Sequence, residues 1–234
     1  MTAFLNIDLG ELFDEPEALY AKAHVANVAC GGHAGDATTM RRAVELCRAH
    51  GARLGAHPSY PDRAGFGRHE LDMAATVVEA HVKAQCAELA AAASACGERV
   101  VFVKAHGALY HASNRDLAVA EALVRGAKDS VGSAFTLIGP PGGAVAAAAK
   151  AANLRFAREA FADRATRADG SLVPRSEPDA LLLEEAAVVA RARALAMRCD
   201  VDTLCVHGDT PHAVELASAV RRLLDCIGRA SLPG

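Results

Sequence analysis

The segment VVFVKAHGALY, residues 100–110, decides how the chain is read. Its first four residues are apolar and mostly β-branched, which makes a short strand. Lys104 and His106 follow, two apart, so that on an extended chain both point to the same side. An ammonium and an imidazole aimed inward at a strand end are costly to bury unless paired or hydrated, and catalysis accounts for them better than packing does. The same grammar, a short apolar run closed by polar residues, recurs along the chain. Strands are predicted at Phe4–Asp8, His24–Ala29, Arg53–Ala56, Val100–Lys104, Phe135–Gly139, Arg155–Phe161 and Thr203–His207.

Helical patterns fill the intervals. Asp36 is placed to cap a helix running to His50 and stopped by Gly51. Further helices are expected from Met73 to Cys96, from Asn114 onward, from Leu183 to Arg198 and from Pro211 to Ile227, with Asp209 or Thr210 capping the last. Strand and helix in alternation specify repeated βα units and a parallel sheet. With no linker, composition shift or low-complexity tract, residues 1–234 are expected to form one α/β domain.

In such a sheet all strand C-termini share one face. The chemically capable residues sit just after strands: Asp8 and Glu11, His33, His57, Lys104 and His106, Asp163 and Arg164, His207 and Asp209. They are therefore expected to converge, although about 200 residues separate the first from the last.

Each cluster has its own chemistry. In VANVACGGHAGD, glycines surround His33 and allow close backbone approach to a ligand, or simply a tight turn. In GAHPSYPDRAGFGRHE, His57 opens a long loop whose Tyr60, Arg68 and Phe66 suit a substrate cover, or a surface loop packed by Phe66. In FADRATRADGSLVPR, Arg164 is suited to hold a carboxylate bidentately, with Asp163 orienting it or pairing with it; Asp169-Gly170 signals a turn. Asp8, His33 and His57 are compatible with a divalent-metal site, which spacing alone does not establish.

Composition removes whole classes of function. With 25 Lys+Arg against 28 Asp+Glu and 4% aromatics, the chain lacks the basic footprint of a nucleic-acid binder. The acidic N-terminus is no signal peptide, and no window reaches the ~18 apolar residues of a membrane span, so a soluble cytoplasmic protein with no membrane partner is expected. The seven cysteines form no C-x-x-C pair and are read as reduced residues packed as small hydrophobes. No P-loop, H-E-x-x-H or G-x-S-x-G motif occurs, and the Gly139-Pro140-Pro141-Gly142-Gly143 turn reads as a strand-to-helix loop.

LNIDLGE, ANVACGGHAGD, GAHPSYPDRAGFGR, VKAHGALY, FADRATRADGSLVPR and CVHGDTPHAV, in this order, closely resemble the LamB/YcsF family, the A subunit of bacterial 5-oxoprolinase. The resemblance runs from about residue 4 to 228. It implies a distorted seven-stranded (β/α) barrel similar to the polysaccharide-deacetylase type. The implied activity is ATP-dependent opening of 5-oxo-L-proline to L-glutamate together with B and C subunits, with ATP engaged through the assembled complex. The chain departs from the family pattern at Gly32, Ala37, Ala105, Thr166, Asp179 and His212, and two inter-motif stretches are shortened. In this reading Lys104 or Arg164 holds the substrate carboxylate, His57 and His106 manage protons, and Asp8 acts as base or orienter. The alternatives are a stand-alone metal-dependent amide hydrolase or deacetylase and a non-catalytic lactam-binding subunit.

Overall fold

A computed structural model describes residues 3–167, 172–175 and 177–228. Among them, seven parallel strands close into a barrel: β1 (Phe4–Leu9), β2 (Val25–Ala29), β3 (Arg53–His57), β4 (Val100–Lys104), β5 (Thr136–Gly139), β6 (Arg155–Phe161) and β7 (Thr203–His207). Strand order follows chain order, and β7 returns to pair with β1 in the register Asn6 opposite Cys205 and Asp8 opposite His207. Closure leaves no free sheet edge and points the strand C-termini to one mouth.

The period of two along each strand separates two environments. In β1, Leu5, Ile7 and Leu9 face outward into the apolar layer between barrel and helices, whereas Phe4 belongs to a small plug with Val25, Phe102, Ile138 and Ala157. Above that plug, Asn6 and Asn27 are fully buried and joined by a 2.7 Å hydrogen bond. Asp8, Lys104, Glu159 and Cys205 are buried with them. The barrel is thus dry and apolar at one end and buried but polar toward its mouth.

Helices surround it: α1 (Glu17–Lys22), α2 (Ala37–His50), α3 (Ala75–Ala95), α4 (Gly107–Arg115), α5 (Leu117–Val131), α6 (Gly143–Ala151), α7 (Glu185–Ala196) and α8 (Ala213–Cys226). Asp36 caps α2 by accepting from the backbone of Thr38 and Thr39, and Gly51 ends it at φ 71°. No described helix is long and apolar enough to cross a membrane.

Three expectations are corrected. The helix expected from Asn114 begins at Leu117, because Asp116 rather than Asn114 supplies the cap, and Asn114 lies in α4. The short α1 and α4 carry too few residues for a clear hydrophobic period and have no counterpart among the predicted helices. At α8, neither Asp209 nor Thr210 caps: His212 stands at the N-cap position at φ 60°, with no side-chain cap bond. The Thr210 hydroxyl donates to Asp163 instead, and Asp209 is paired with arginines.

Gly35 sits in the glycine-rich turn after β2 at φ 81°, where a Cβ would lie 2.6 Å from the Ala29 carbonyl oxygen. Gly51, also at positive φ, has nothing within 4 Å. Gly51→Ala is expected to cost about 1 kcal/mol, the penalty of the left-handed conformation alone. Gly35→Ala is expected to cost more than about 2 kcal/mol, because a fixed backbone oxygen adds a clash. Urea denaturation of the two variants checks the order.

Candidate active site

The barrel mouth opens into a cavity of about 950 Å³ lined by Asp8, Glu11, His57, Arg68, Lys104, His106, Arg164, His207 and Asp209, among others. Tyr60, His33 and Asp163, also predicted for the site, stand behind this lining. Tyr60 is packed in the core, His33 is stacked flat against His106 with ring centroids 3.6 Å apart, and Asp163 is fully buried beneath His207.

At the cavity floor lies Lys104, 2% exposed, its Nζ 2.9 Å from Asp8 Oδ1 and 2.8 Å from Glu159 Oε1. Nζ also lies 3.2 Å from Asn6 Oδ1 and from Cys205 Sγ. Burial opposes the charged forms of Asp8 and Lys104, but each helps to hold the other ionised. Asp8 is kept well below the usual carboxylate range by His57 and Lys104, and Lys104 is kept well above the usual lysine range by Asp8, Cys205 and Glu159. The ammonium is thus committed to protein carboxylates, whereas Arg164 lines the same cavity. Its Nη2 donates to the Val173 carbonyl at 2.6 Å, and no described carboxylate lies within ion-pair distance of it. Asp163, expected beside Arg164, instead accepts from His207 N at 2.9 Å, His207 Nδ1 at 3.0 Å and the Thr210 hydroxyl at 2.9 Å. This fixes the His207 ring with Nδ1 as donor and turns Nε2 toward Asp8 Oδ2, 3.9 Å away.

Three histidines gather around Glu11. Its Oε1 lies 3.0 Å from His33 Nε2, 3.3 Å from His106 Nδ1 and 4.0 Å from His57 Nε2. Burial lowers the pKa of His33 and pushes that of His106 well below the imidazole range, the latter reinforced by the neighbouring rings. Burial also works against a charge on His57, yet Asp8, 3.4 Å away, outweighs it and raises its pKa.

The loop after β3 is anchored onto this cluster. Asp62 shapes it by accepting from the backbone of Gly65 and His69, and Arg63 donates to the carbonyls of Gly31 and Gly35. Phe66, at φ 55°, sets its ring edge-on to His33 and His106, and its carbonyl accepts from His106 Nε2 at 3.0 Å. Arg68 crosses the mouth to Asp209 at 2.9 Å, which Arg175 also meets at 2.7 Å. Phe66 thus packs this loop onto the His33–His106 pair.

Some residues of the site carried no clear signal in the sequence. Glu159 lies in RFAREAF, where charges on both faces hide which one points inward. Asn6, Asn27 and Cys205 sit inside strands that read as apolar; Cys205, expected to be a small hydrophobe, touches Lys104. The seven cysteines are free. His212 is exposed at the start of α8 and does not line the cavity, while Ala105 and Thr166 do. The turn signal at Asp169-Gly170 falls outside the described residues.

The LamB/YcsF sequence profile matches residues 4–232. This chain belongs to the LamB/YcsF family. Within it, the A subunit of 5-oxoprolinase from Streptomyces coelicolor is 43% identical over 241 residues, covering 96% of each chain. Its counterpart of the same name from Bordetella pertussis is 40% identical over 243 residues, covering 97% of this chain and 96% of its own. The crystal structure of a lactam utilization protein from Thermus thermophilus superposes with a TM-score of 0.86 at 35% identity, over 97% of this chain and 98% of that one. A family 4 carbohydrate esterase from Streptomyces lividans, in complex with acetate, shares the fold alone, with a TM-score of 0.51 at 10% identity, over 97% of this chain and 89% of that one. The deacetylase-type barrel expected from the LamB/YcsF resemblance is the architecture observed.

Lys104→Met leaves two buried carboxylates without their cation and is expected to destabilise the protein by about 3–5 kcal/mol. Lys104→Met combined with Glu159→Gln is expected to recover part of that loss. Guanidinium unfolding followed by circular dichroism measures both; equal losses would show that charge pairing is not what Lys104 supplies.

Proposed function

We propose that this chain is the A subunit of a 5-oxoprolinase, a hydrolase acting on a cyclic amide, which opens 5-oxo-L-proline to L-glutamate together with B and C subunits in the cytoplasm. The reading is carried by one observation: Asp8, Glu11, His57, His106, Arg164 and His207 face a single cavity large enough for a small lactam. The full-length likeness to proteins named as the A subunit of 5-oxoprolinase supports the same substrate.

A five-membered lactam is a stable amide. Opening it breaks the ring C–N bond, places the oxygen of water on the carbonyl carbon, and requires a proton on the departing nitrogen. Arg164, anchored by backbone carbonyls and facing the cavity, is assigned to the substrate carboxylate. His57 and His106, with ring nitrogens 3.0 Å apart, are assigned to proton movement at the ring amide and the attacking water. Asp8 orients His57 and sustains its basicity. His207, fixed by Asp163, stands on the opposite side of Asp8 and completes the polar floor.

ATP is the co-substrate of the assembled complex in this proposal. The chain carries no P-loop, which agrees with nucleotide-dependent activation being housed with the partner subunits.

Co-expression with its B- and C-type partners, followed by assay of glutamate released from 5-oxoproline with and without ATP, tests the proposal. Asp8→Asn and His57→Ala are each expected to lower turnover by about 10²–10⁴-fold. Arg164→Lys is expected to raise KM for 5-oxoproline more than it lowers kcat, because a bidentate grip becomes a point charge. Undiminished turnover in the Asp8 and His57 variants would remove the role assignments, and no ATP-dependent glutamate release from the wild-type complex would remove the function.

A further inference from the structure

Two groups of metal-ligating side chains stand at the barrel mouth: Glu11 with His33, His57 and His106, and Asp8 with Cys205 and His207. They are not equivalent. The second already surrounds a cation, because Lys104 Nζ lies 2.9 Å from Asp8 Oδ1 and 3.2 Å from Cys205 Sγ. Among the described residues the first surrounds none, and with neutral rings its hydrogen bonds do not balance.

The imbalance follows from the carbonyls around it. His57 Nδ1 is 2.8 Å from the Lys104 carbonyl oxygen, and His106 Nε2 is 3.0 Å from the Phe66 carbonyl oxygen. A carbonyl oxygen only accepts, so each of these nitrogens carries the proton of its ring. Neutral rings in those tautomers present lone pairs from His57 Nε2 and His106 Nδ1, and these two atoms face each other at 3.0 Å. Both also face Glu11 Oε1, itself only an acceptor, at 4.0 and 3.3 Å. His33 Nε2 adds a fourth ligand atom 3.0 Å from the same oxygen. A proton added to His57 Nε2 is accepted by the His106 lone pair, but it leaves Glu11 Oε1 and His106 Nδ1 facing each other at 3.3 Å with no hydrogen between them. A cation at their centre satisfies all four together.

The geometry points to a divalent transition-metal site, of the kind that takes Zn²⁺ or Co²⁺, formed by His33 Nε2, His57 Nε2, His106 Nδ1 and Glu11, an occupancy that excludes the proton-moving role proposed for the same nitrogens of His57 and His106. Three imidazoles and one carboxylate are a four-coordinate donor set for such an ion. Ligand atoms around a tetrahedral zinc are separated by about 3.3 Å, given metal–ligand bonds of ~2.0 Å. The observed separations of 3.0, 3.0, 3.3 and 4.0 Å bracket that value. The second shell is already built: the Lys104 and Phe66 carbonyls hold two of the rings through their remote nitrogens, as supporting acceptors do for ligating histidines. Glu11, His57 and His106 line the cavity, which gives the ion a way in.

Metal titration of the purified full chain, stripped with chelator, tests the site without reference to turnover. One equivalent of Co²⁺ is expected to bind and give the intense visible absorption of a four-coordinate ion, bleached by Zn²⁺, with a rise in Tm. Nitrogen-15 spectra of the imidazoles are expected to report Nδ1–H on His57 and Nε2–H on His106, with the opposite nitrogens shifting on Zn²⁺ addition. His33→Ala and His106→Ala, each checked for folding by circular dichroism, are expected to weaken binding by more than the roughly 10–100-fold that loss of an outer-shell partner costs. Cys205→Ser is expected to bind as the wild type does. Absence of saturable binding to the wild type would overturn the inference, and the imidazole spectra would then show a proton-bridged cluster unmoved by zinc. Binding lost in Cys205→Ser but retained in both histidine variants would overturn it equally, by moving the ion to the other group. Loss of glutamate release from the complex would leave these binding results untouched, so failure of the metal site and failure of the proposed activity are separable.

Discussion

One buried ammonium organises the interior of this barrel. Lys104 reaches the axis from the end of β4 and is met by Asp8 from β1 and Glu159 from β6. Charges that far from water persist only when paired, and each pairing here joins strands distant in the chain. The polar layer therefore ties strand register to charge balance. A slip by one residue in any of the three strands would turn its ionic group outward and leave the others uncompensated.

The same layer divides the mouth into two halves with different electrostatics. On one side Asp8 and Glu159 are held by the Lys104 ammonium, and Asp163 is held by His207. On the other, Glu11 and three histidines gather lone pairs with no internal cation. His57 joins the two, touching Asp8 through one ring nitrogen and the Lys104 carbonyl through the other. The loop carrying Phe66 and Arg68 closes over this junction. It contributes a carbonyl to the histidine cluster and, through Arg68, an ion pair to Asp209. Loop position and ring orientation are thus set by the same contacts, so a movement of the cover would be felt at His106.

The sequence revealed much of the mouth because strand ends are conspicuous. A polar residue after an apolar run breaks a pattern, as Asp8, His57, Lys104 and His207 do. The barrel's inner wall is harder to read. Asn6 and Cys205 lie within runs that remain apolar on balance, and Glu159 follows Arg155 and Arg158 in a strand less deeply buried than its neighbours. Gln85, in the middle of α3, is a buried amide that spans the backbone of Ser59 through both its oxygen and nitrogen. It fills the space that a side chain at Gly32 would need, so the absence of a side chain there is coupled to a helix residue more than fifty positions away.

The sequence by itself determined the alternation of strands and helices, their near-boundaries and the gathering of chemical groups at strand C-termini, because these follow from local period and from the geometry of parallel βα units. Tertiary structure alone decided which charges neutralise one another. Lys104 was available on paper to a substrate carboxylate and Asp163 to Arg164, yet the first is held by Asp8 and Glu159 and the second by His207 and Thr210. Pairing depends on distances of about 3 Å between side chains on different strands. Those distances are fixed only when the barrel closes and its register is set.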